Sequence, residues 1–397
     1  MREPILLDTT LRDGEQTPGV YFTNKEKLYI ASELSDMGIE IIEAGIPSMG
    51  EEERKNLKAL KKLNLSAEIL SWNRLLPEDI TASFKAGIQT IHISVPTSDI
   101  MIEKKMGKNK DWIIPQMEKV FDLTLKEGAV ISFGAEDASR TDPVFLKKIF
   151  TTAQQLGAKR VRFADTLGIM TPLQVSKVIK YLSAPDIVID YHGHNDFGMA
   201  TANALAAWES GADVISCSVL GLGERAGNTS LEEFLCIMQY LENKIENFDF
   251  IRLKKLCIDI AEWIGYLIPV QKPIVGDKIF AHESGIHVDG ILKEPSTYEL
   301  LPPELLGGHR EFILGKHSGL KAVKYFANNE GYEISDNLVD DFLKDMRFQM
   351  AQSRGVNASL LFRSFLTNRL NKRTPKQTEY QHLNINKTNN TIKYIFK

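Results

Sequence analysis

Two histidines in the middle of the chain, His192 and His194, are separated by one glycine and follow the strand-like run 187–191. Side chains two residues apart on a β-strand point to the same face, so the pattern predicts two imidazoles that project side by side. With one distant carboxylate they would make a metal site whose remaining positions are open to water or substrate, which suits Lewis-acid chemistry. The alternative for this pair is two histidines at a polar strand end.

The N-terminal segment 8–16, Asp-Thr-Thr-Leu-Arg-Asp-Gly-Glu-Gln, is the counterpart of the histidine pair. It offers carboxylates for a metal and, in Arg12, a cation. A small anionic substrate would need local positive groups, because the chain as a whole carries a net charge of only -4. We therefore interpret the two segments as parts of one catalytic site.

Strand-like apolar runs recur through the first two thirds of the chain and set the frame for these residues. The eight runs are residues 4–12, 39–46, 67–72, 90–95, 130–136, 160–166, 187–194 and 214–220. Amphipathic segments of helix length lie between them, for example 24–37, 112–126, 143–156 and 172–182, and several end at a glycine. This content predicts an α/β fold, a (β/α)8 TIM barrel, whose active site lies at the C-terminal ends of the strands.

Polar residues collect at the predicted C-terminal strand ends. They are Arg12 and Asp13 on strand one, Glu43 on strand two, Glu136 and Asp137 on strand five, Asp165 and Thr166 on strand six, and His192 and His194 on strand seven. The glycine-rich turn 221–228 follows strand eight and ends in Asn228. Taken alone, Glu43 or Asp137 is more readily a satisfied surface group or a helix cap. Their joint placement predicts one active-site rim.

Composition narrows the class of protein. The 397 residues are 43% hydrophobic and 25% charged, an ordinary balance that gives no electrostatic case for a nucleic-acid or membrane partner. Cys217, Cys236 and Cys257 are odd in number and form no CxxC pair, which argues against a disulfide framework. The N-terminus lacks the apolar stretch of a signal peptide, and no run reaches the length of a membrane span. We expect a cytoplasmic protein.

The sequence pattern predicts that the chain has four parts. Residues 1–268 are expected to form the catalytic barrel, 269–319 a linker subdomain, 320–370 a small helical subdomain and 371–397 a flexible tail. The run 315–318, Gly-Lys-His-Ser, superficially looks like a phosphate loop. It lacks the spaced upstream glycine, so a nucleotide-hydrolysing role is rejected.

Residues 11–16 and 192–198 resemble the two signatures of the acyl-CoA-condensing branch of the (β/α)8 metallolyases, which holds isopropylmalate, citramalate and homocitrate synthases. The resemblance covers roughly residues 3–365. It implies that acetyl-CoA condenses with an α-keto acid in a metal-dependent Claisen reaction, followed by thioester hydrolysis. It also implies a divalent cofactor (Mg, Mn, Zn or Co) and a homodimer whose linker domains cross, so that each linker contributes to the partner's active site.

Roles for individual residues follow from the same resemblance. The metal ligands would be Asp13, His192 and His194, with Asn228 more weakly associated. Arg12 would polarise the keto carbonyl, Glu136 would do acid/base work, and His287 and Tyr298 would arrive from the partner's linker. The substrate-binding set would be Arg12, Gln16, Thr166 for the keto-acid carboxylate, and Glu43 for the water shell of the metal.

Chain length without room for a regulatory domain, and the segments 132–140 and 223–228, most resemble homocitrate synthases linked to nitrogenase cofactor supply. The expected keto acid is therefore 2-oxoglutarate. One departure is that Ser132 and Gly134 stand where lysine-pathway members carry an arginine and a serine for the distal carboxylate; Arg74 or His92 are the candidates to replace them. The alternatives are isopropylmalate, citramalate or Re-citrate synthesis from another keto acid, and a metal-dependent aldolase or lyase without CoA.

Overall fold

The computed structural model describes residues 2–184 and 186–371. The chain divides into two compact units, Met1–Phe280 with Leu301–His309, and Ala281–Leu300 with Arg310–Lys397. Two parts of the expected linker, residues 269–280 and Leu301–His309, thus belong to the first unit. The assignment of 269–319 to the partner's site stays a prediction, and the expected tail falls, from residue 372 on, outside the described residues.

The first unit is built on a closed parallel barrel in which each strand pairs with the next and the last pairs with the first. Its strands are β1 (Ile5–Asp8), β2 (Ile41–Glu43), β3 (Glu68–Arg74), β4 (Thr90–Pro96), β5 (Val130–Glu136), β6 (Arg160–Asp165), β7 (Ile189–Gly193) and β8 (Val214–Cys217). The predicted TIM barrel is confirmed.

Helices surround the barrel at the expected places. They are α1 (Asn24–Asp36), α2 (Glu51–Lys61), α3 (Pro77–Lys85), α4 (Ile113–Lys126), α5 (Pro143–Gln155), α6 (Pro172–Leu182), α7 (Ala200–Glu209), α8 (Leu231–Tyr240) and α9 (Phe250–Trp263). Local chemistry sets several ends, as at α1, where Thr23 and Glu26 form a capping box. No helix in the described part of the chain is long and apolar enough to cross a membrane.

The barrel interior changes character along its axis. A buried apolar layer of Leu7, Ile41, Leu70 and Val214 closes the end where the strands begin. Several other inward positions of the barrel carry polar groups instead. These are Glu43, His92, Ser132, Arg162 and Asp190, each buried. The C-terminal end of the barrel therefore contains a layer of buried polar and charged side chains.

The first strand is shorter than expected, and Arg12 and Asp13 do not end it. β1 stops at Asp8, after which the backbone N–H groups of Arg12 and Asp13 both donate to the Thr9 carbonyl oxygen, at 3.0 and 2.8 Å. The two residues lie in a tight turn beyond the strand. The turn residues 9–13 are buried like the strand, although they are mostly polar in type.

The second unit has its own core. It contains a short parallel pair, β9 (Ala281–His282) with β10 (Glu311–Phe312), and the helices α10 (Gly285–Lys293), α11 (Leu320–Asn329), α12 (Asp336–Gln352) and α13 (Ala358–Asn371). Residues 320–370, predicted as a small helical subdomain, contain α11, α12 and nearly all of α13, whereas α10 was not predicted. Phe362 of α13 packs edge-on against Phe326 of α11 and Phe342 of α12, with ring centroids 5.5 and 4.9 Å apart.

Candidate active site

A cavity of about 200 Å³ opens among the C-terminal ends of the barrel strands. Seven of the predicted site residues line it: Arg12, Asp13, Gln16, Glu136, Thr166, His192 and His194. Glu43 and Asn228 lie buried behind this lining, in contact with Arg12 and Asp13 respectively. The barrel thus brings together residues from β2, β5 and β7 and from the segments that follow β1, β6, β7 and β8.

Asp13, His192 and His194 form a buried cluster that could hold a metal ion, with one ligand atom each within 4.8 Å of the others. His192 Nε2 lies 3.2 Å from Asp13 Oδ2 and 3.3 Å from His194 Nε2. Ligands about 2.1 Å from one ion stand about 3.0 to 3.4 Å apart, so these two separations suit a shared divalent ion. The third, 3.9 Å from His194 Nε2 to Asp13 Oδ2, is longer and would shorten when an ion binds. Two imidazoles and a carboxylate fit Zn, Mn or Co and leave positions open.

The protonation states favour metal binding. Burial by itself would raise the pKa of Asp13, but Arg12 and the hydrogen bond from His192 hold that pKa well below its usual range. Burial, followed by the neighbouring His192, lowers the pKa of His194 to about 3. The cluster therefore presents an ionised carboxylate and a neutral imidazole, the forms that bind a cation.

Asn228 meets the cluster through its amide nitrogen. Nδ2 donates to Asp13 Oδ2 at 2.8 Å and to the Leu222 carbonyl oxygen at 3.1 Å. Two acceptors fix this orientation of the amide, and a side chain at Gly223 would collide with it, since an added Cβ would lie 2.6 Å from Nδ2. In this arrangement Asn228 orients Asp13. Its predicted role as a fourth ligand stays a prediction.

Glu43 links two buried arginines. It accepts from Arg12 Nε in a short hydrogen bond, and its Oε2 lies 2.8 Å from Arg162 Nη1. Burial would raise the pKa of Glu43, but Arg12 and then Arg162 lower it below its ordinary value. Arg12 in turn places Nη1 2.7 Å from Asp13 Oδ1. The guanidinium beside the metal cluster is therefore held in one orientation by two carboxylates.

Glu136 and Thr166 stand at the open edge of the cavity. Lys105, on a π-helical segment Met101–Lys105 after β4, donates to Glu136 Oε1 at 2.6 Å. Thr166 accepts from the backbone N–H of Asp137 through its hydroxyl oxygen at 2.8 Å. Both side chains face the cavity with polar atoms available to a small molecule. Lys105, which the sequence did not single out, is part of this edge.

Arg162 and His92 lie deeper in the cavity. Burial, and then Arg162, lower the pKa of His92 well below its usual range, so the ring is neutral. Its Nδ1 lies 2.9 Å from Ser132 Oγ, while a Cβ at Gly134 would lie 2.4 Å from its Nε2. A glycine is therefore needed at position 134, because any side chain there would collide with the His92 ring. Arg162 was missed, although an arginine at an inward position of a buried strand is itself a signal.

Arg74 does not serve the cavity. Its Nε and Nη2 donate to the two carboxylate oxygens of Asp79 at 2.9 and 2.8 Å, and its side chain is 58% exposed. The suggestion that it meets a distal carboxylate is wrong, because the side chain leaves the strand end toward α3. His92, the other suggestion, does line the cavity.

His287 and Tyr298 lie together in the second unit. Their rings stack with centroids 4.2 Å apart and planes inclined by 28°. Gly290 permits this packing, since a Cβ there would lie 2.6 Å from Tyr298 Cε2. Both residues are exposed. The unit therefore presents an imidazole and a phenol side by side on its surface.

Two family models match the chain. Residues 3–259 match the HMGL-like family, and residues 274–354 match the homocitrate synthase post-HMGL domain-like family. The HMG-CoA lyase structure from Bacillus subtilis shares the fold, with a TM-score of 0.60 and 19% identity over 68% of this chain and 97% of that chain.

Curated relatives cover most of the chain. The 2-isopropylmalate synthase 2 of Caldanaerobacter subterraneus subsp. tengcongensis is 46% identical over 80% of this chain and 83% of its own length. The (R)-citramalate synthase of Methanocaldococcus jannaschii is 41% identical over 83% and 68%, respectively. Homocitrate synthase 1 of Nostoc sp. is 40% identical over 89% and 94%. The chain therefore belongs to the HMGL-like family, within its branch of acyltransferases that condense acetyl-CoA with a keto acid.

Proposed function

We propose that this protein is a homocitrate synthase, which condenses acetyl-CoA with 2-oxoglutarate and hydrolyses the thioester to give homocitrate and CoA. The observation that carries the proposal is the polarity of the deep end of the cavity. His92, Ser94 and Arg162 line it, where an isopropyl group would need apolar side chains. A second carboxylate suits that lining.

In the proposed reaction a proton leaves the acetyl methyl group, and the resulting carbanion forms a bond to the keto carbon. Glu136 accepts or returns protons at the open edge of the cavity. Arg12, held by Glu43 and Asp13, donates to the keto oxygen as negative charge develops there. The alkoxide formed on the keto oxygen then takes up a proton. Water attacks the thioester carbonyl and gives up a proton, the C–S bond breaks, and the CoA thiolate leaves and is protonated.

A divalent ion, held by Asp13, His192 and His194 with Asn228 beside them, would supply Lewis acidity at the keto group. Thr166 would bind the 1-carboxylate, and Gln16 would contact the substrate from the same wall of the cavity. Glu43 would act through Arg12 and the water near the ion. The donor set supports this assignment, since one ligand atom of each of the three residues lies within 4.8 Å of the others.

The second unit would complete the site in a homodimer. His287 and Tyr298 would reach the partner's cavity and share the proton transfers with Glu136. The stacked, exposed pair supports this role, because an imidazole beside a phenol offers a donor and an acceptor to a molecule outside its own unit. The linker subdomain 269–319 would bring these two residues to the partner's cavity. The dimer would function in the cytoplasm.

A second candidate is 2-isopropylmalate synthesis, which the 46% identity to the Caldanaerobacter enzyme favours. CoA-thiol release from acetyl-CoA, measured against 2-oxoglutarate, 2-oxoisovalerate, pyruvate and oxaloacetate, decides between them. We expect kcat/KM for 2-oxoglutarate to exceed that for pyruvate and 2-oxoisovalerate by about a hundredfold, or roughly 2.7 kcal/mol of transition-state discrimination. Faster turnover of either monocarboxylate would overturn the homocitrate assignment.

A further inference from the structure

Arg162 has a buried guanidinium of which one nitrogen, Nη2, has no hydrogen-bond partner among the described residues. It lies on β6 at an inward position, between Val161 and Phe163, whose side chains pack into the apolar core. Its Nε donates to Asp190 Oδ2 at 2.6 Å, and its Nη1 lies 2.8 Å from Glu43 Oε2. Nη2 is buried and has no hydrogen-bond partner among the described residues.

A buried donor without a partner costs free energy, so the free Nη2 indicates a group that is bound during function. Arg162 is 2% exposed and lines the cavity, so an acceptor that reaches Nη2 must enter through that cavity. Since Nε and Nη1 face Asp190 and Glu43, Nη2 is the nitrogen left to donate, and a charged donor bonds more strongly to a carboxylate than to a neutral acceptor. An incoming carboxylate is the acceptor that best matches this geometry.

The two arginines of the cavity, Arg12 and Arg162, lie at different depths. Arg12 lies beside Asp13 and the histidine cluster, where the keto group would be held. Arg162 lies deeper and lines the cavity together with Ala164 and with Gly134, its neighbour in register on β5. A substrate whose keto group meets Arg12 would extend its far end toward Arg162.

We propose that Arg162 is the specificity-determining residue for the keto acid, and that its Nη2 donates to the distal carboxylate of a 2-oxo dicarboxylic acid. This inference rests on the proposed function, of which it names the selecting group. A monocarboxylic keto acid would leave Nη2 buried and unpaired, so the site would discriminate against it. Arg162 also supports Glu43, and the test must separate the two roles.

The test varies the protein and the substrate together. Arg162→Lys and Arg162→Gln are assayed with 2-oxoglutarate and with 2-oxovalerate, in which a methyl group replaces the distal carboxylate. We expect the ratio of the two kcat/KM values to fall by about tenfold or more in both variants. KM for 2-oxoglutarate should rise while KM for 2-oxovalerate stays the same. Calorimetric titration with 2-oxoglutarate alone should show the same loss of affinity.

Two control variants sharpen the result. Arg160→Lys changes a neighbouring arginine on β6, whose Nε donates to Ser132 Oγ at 3.3 Å, and should leave the substrate ratio unchanged. Lys105→Gln removes another cation of the cavity and should also preserve the ratio. A loss of the ratio in Lys105→Gln with none in Arg162→Lys would overturn the proposal.

The outcomes also separate this inference from the proposed function. A wild-type preference for a monocarboxylate would contradict the homocitrate assignment and the role of Arg162 with it. A wild-type preference for 2-oxoglutarate, with Arg162→Lys lowering kcat/KM equally for both substrates, would contradict only the role of Arg162 and leave it as a support for Glu43. Circular dichroism establishes folding, and if Arg162→Gln does not fold, Arg162→Lys decides because it retains the charge between Glu43 and Asp190.

Discussion

Asn228 donates from Nδ2 to Oδ2 of Asp13 over 2.8 Å, although 215 positions separate them in the chain. The contact joins the turn after β8 to the turn after β1, which are adjacent because the barrel closes between those strands. It fixes the carboxylate that faces His192 and His194. The metal cluster therefore depends on barrel closure, because closure brings Asn228 to the carboxylate of Asp13.

The cluster predicts that activity depends on a divalent ion. A chelator should abolish thiol release, and Mg, Mn, Zn or Co should restore it. His192→Ala or His194→Ala should weaken Mn²⁺ binding, measured by calorimetry, by roughly tenfold or more, since each removes one of three protein ligands. His309→Ala, outside the cluster, is the matched control. Full activity of the double histidine variant in chelator would refute the site.

Subunit exchange tests the composite site. Glu136→Ala and His287→Ala homodimers should each be inactive, and mixing them under exchange conditions should recover activity, because some mixed dimers contain one site with both residues intact. Thiol release is measured against heterodimer content determined by native mass spectrometry. Heterodimers that form without any recovery would place His287 in its own subunit's site or outside catalysis.

Glu43→Gln should be costly for stability. The substitution leaves two buried guanidinium groups with one carboxylate fewer, and breaking a buried ion pair typically costs about 3 to 5 kcal/mol. Denaturant unfolding measures the loss, and kcat should fall with it because Arg12 is no longer held. Glu52→Gln breaks an exposed pair with Lys55 and should change stability by less than about 1 kcal/mol. Equal stability of the two variants would contradict the assignment.

Asp8 should make stability depend on pH. Burial raises its pKa from the ordinary 3.8 to about 7, against the hydrogen bonds from Thr10, so the folded protein holds a proton that the unfolded chain has lost. The stabilisation is complete below pH 3.8 and disappears as pH rises through 7. Its size is up to roughly 4 kcal/mol.

Asp8→Asn isolates this contribution, because an amide has the shape of the neutral acid and does not titrate. Its free energy of unfolding should change less between pH 5 and pH 8 than that of the wild type, and it should be the more stable protein at pH 8. Urea unfolding at the two pH values provides the measurement. Parallel pH profiles for the two proteins would show that Asp8 does not carry the effect.

Much of the fold was predictable because its signals are local. Apolar runs bounded by glycines predicted the barrel strands, and the bounds of β5, Val130–Glu136, agree with the sequence pattern. Strand alternation predicted that His192 and His194 lie together, although β7 ends at Gly193 and His194 follows it in a bridge to Asn228. The end of β1 was missed, because the turn at Thr9 depends on hydrogen bonds that residue type does not encode.

By itself, the sequence determined the order of strands and helices, the position of the histidine pair and the residues offered to a metal. Only the tertiary structure decided which polar groups meet: Glu43 with Arg12 and Arg162, Lys105 with Glu136, and Arg74 with Asp79 instead of the cavity. The reason is physical. Alternation gives the face on which a side chain lies, whereas its partner depends on the register of neighbouring strands and on barrel closure, which join residues far apart in the chain.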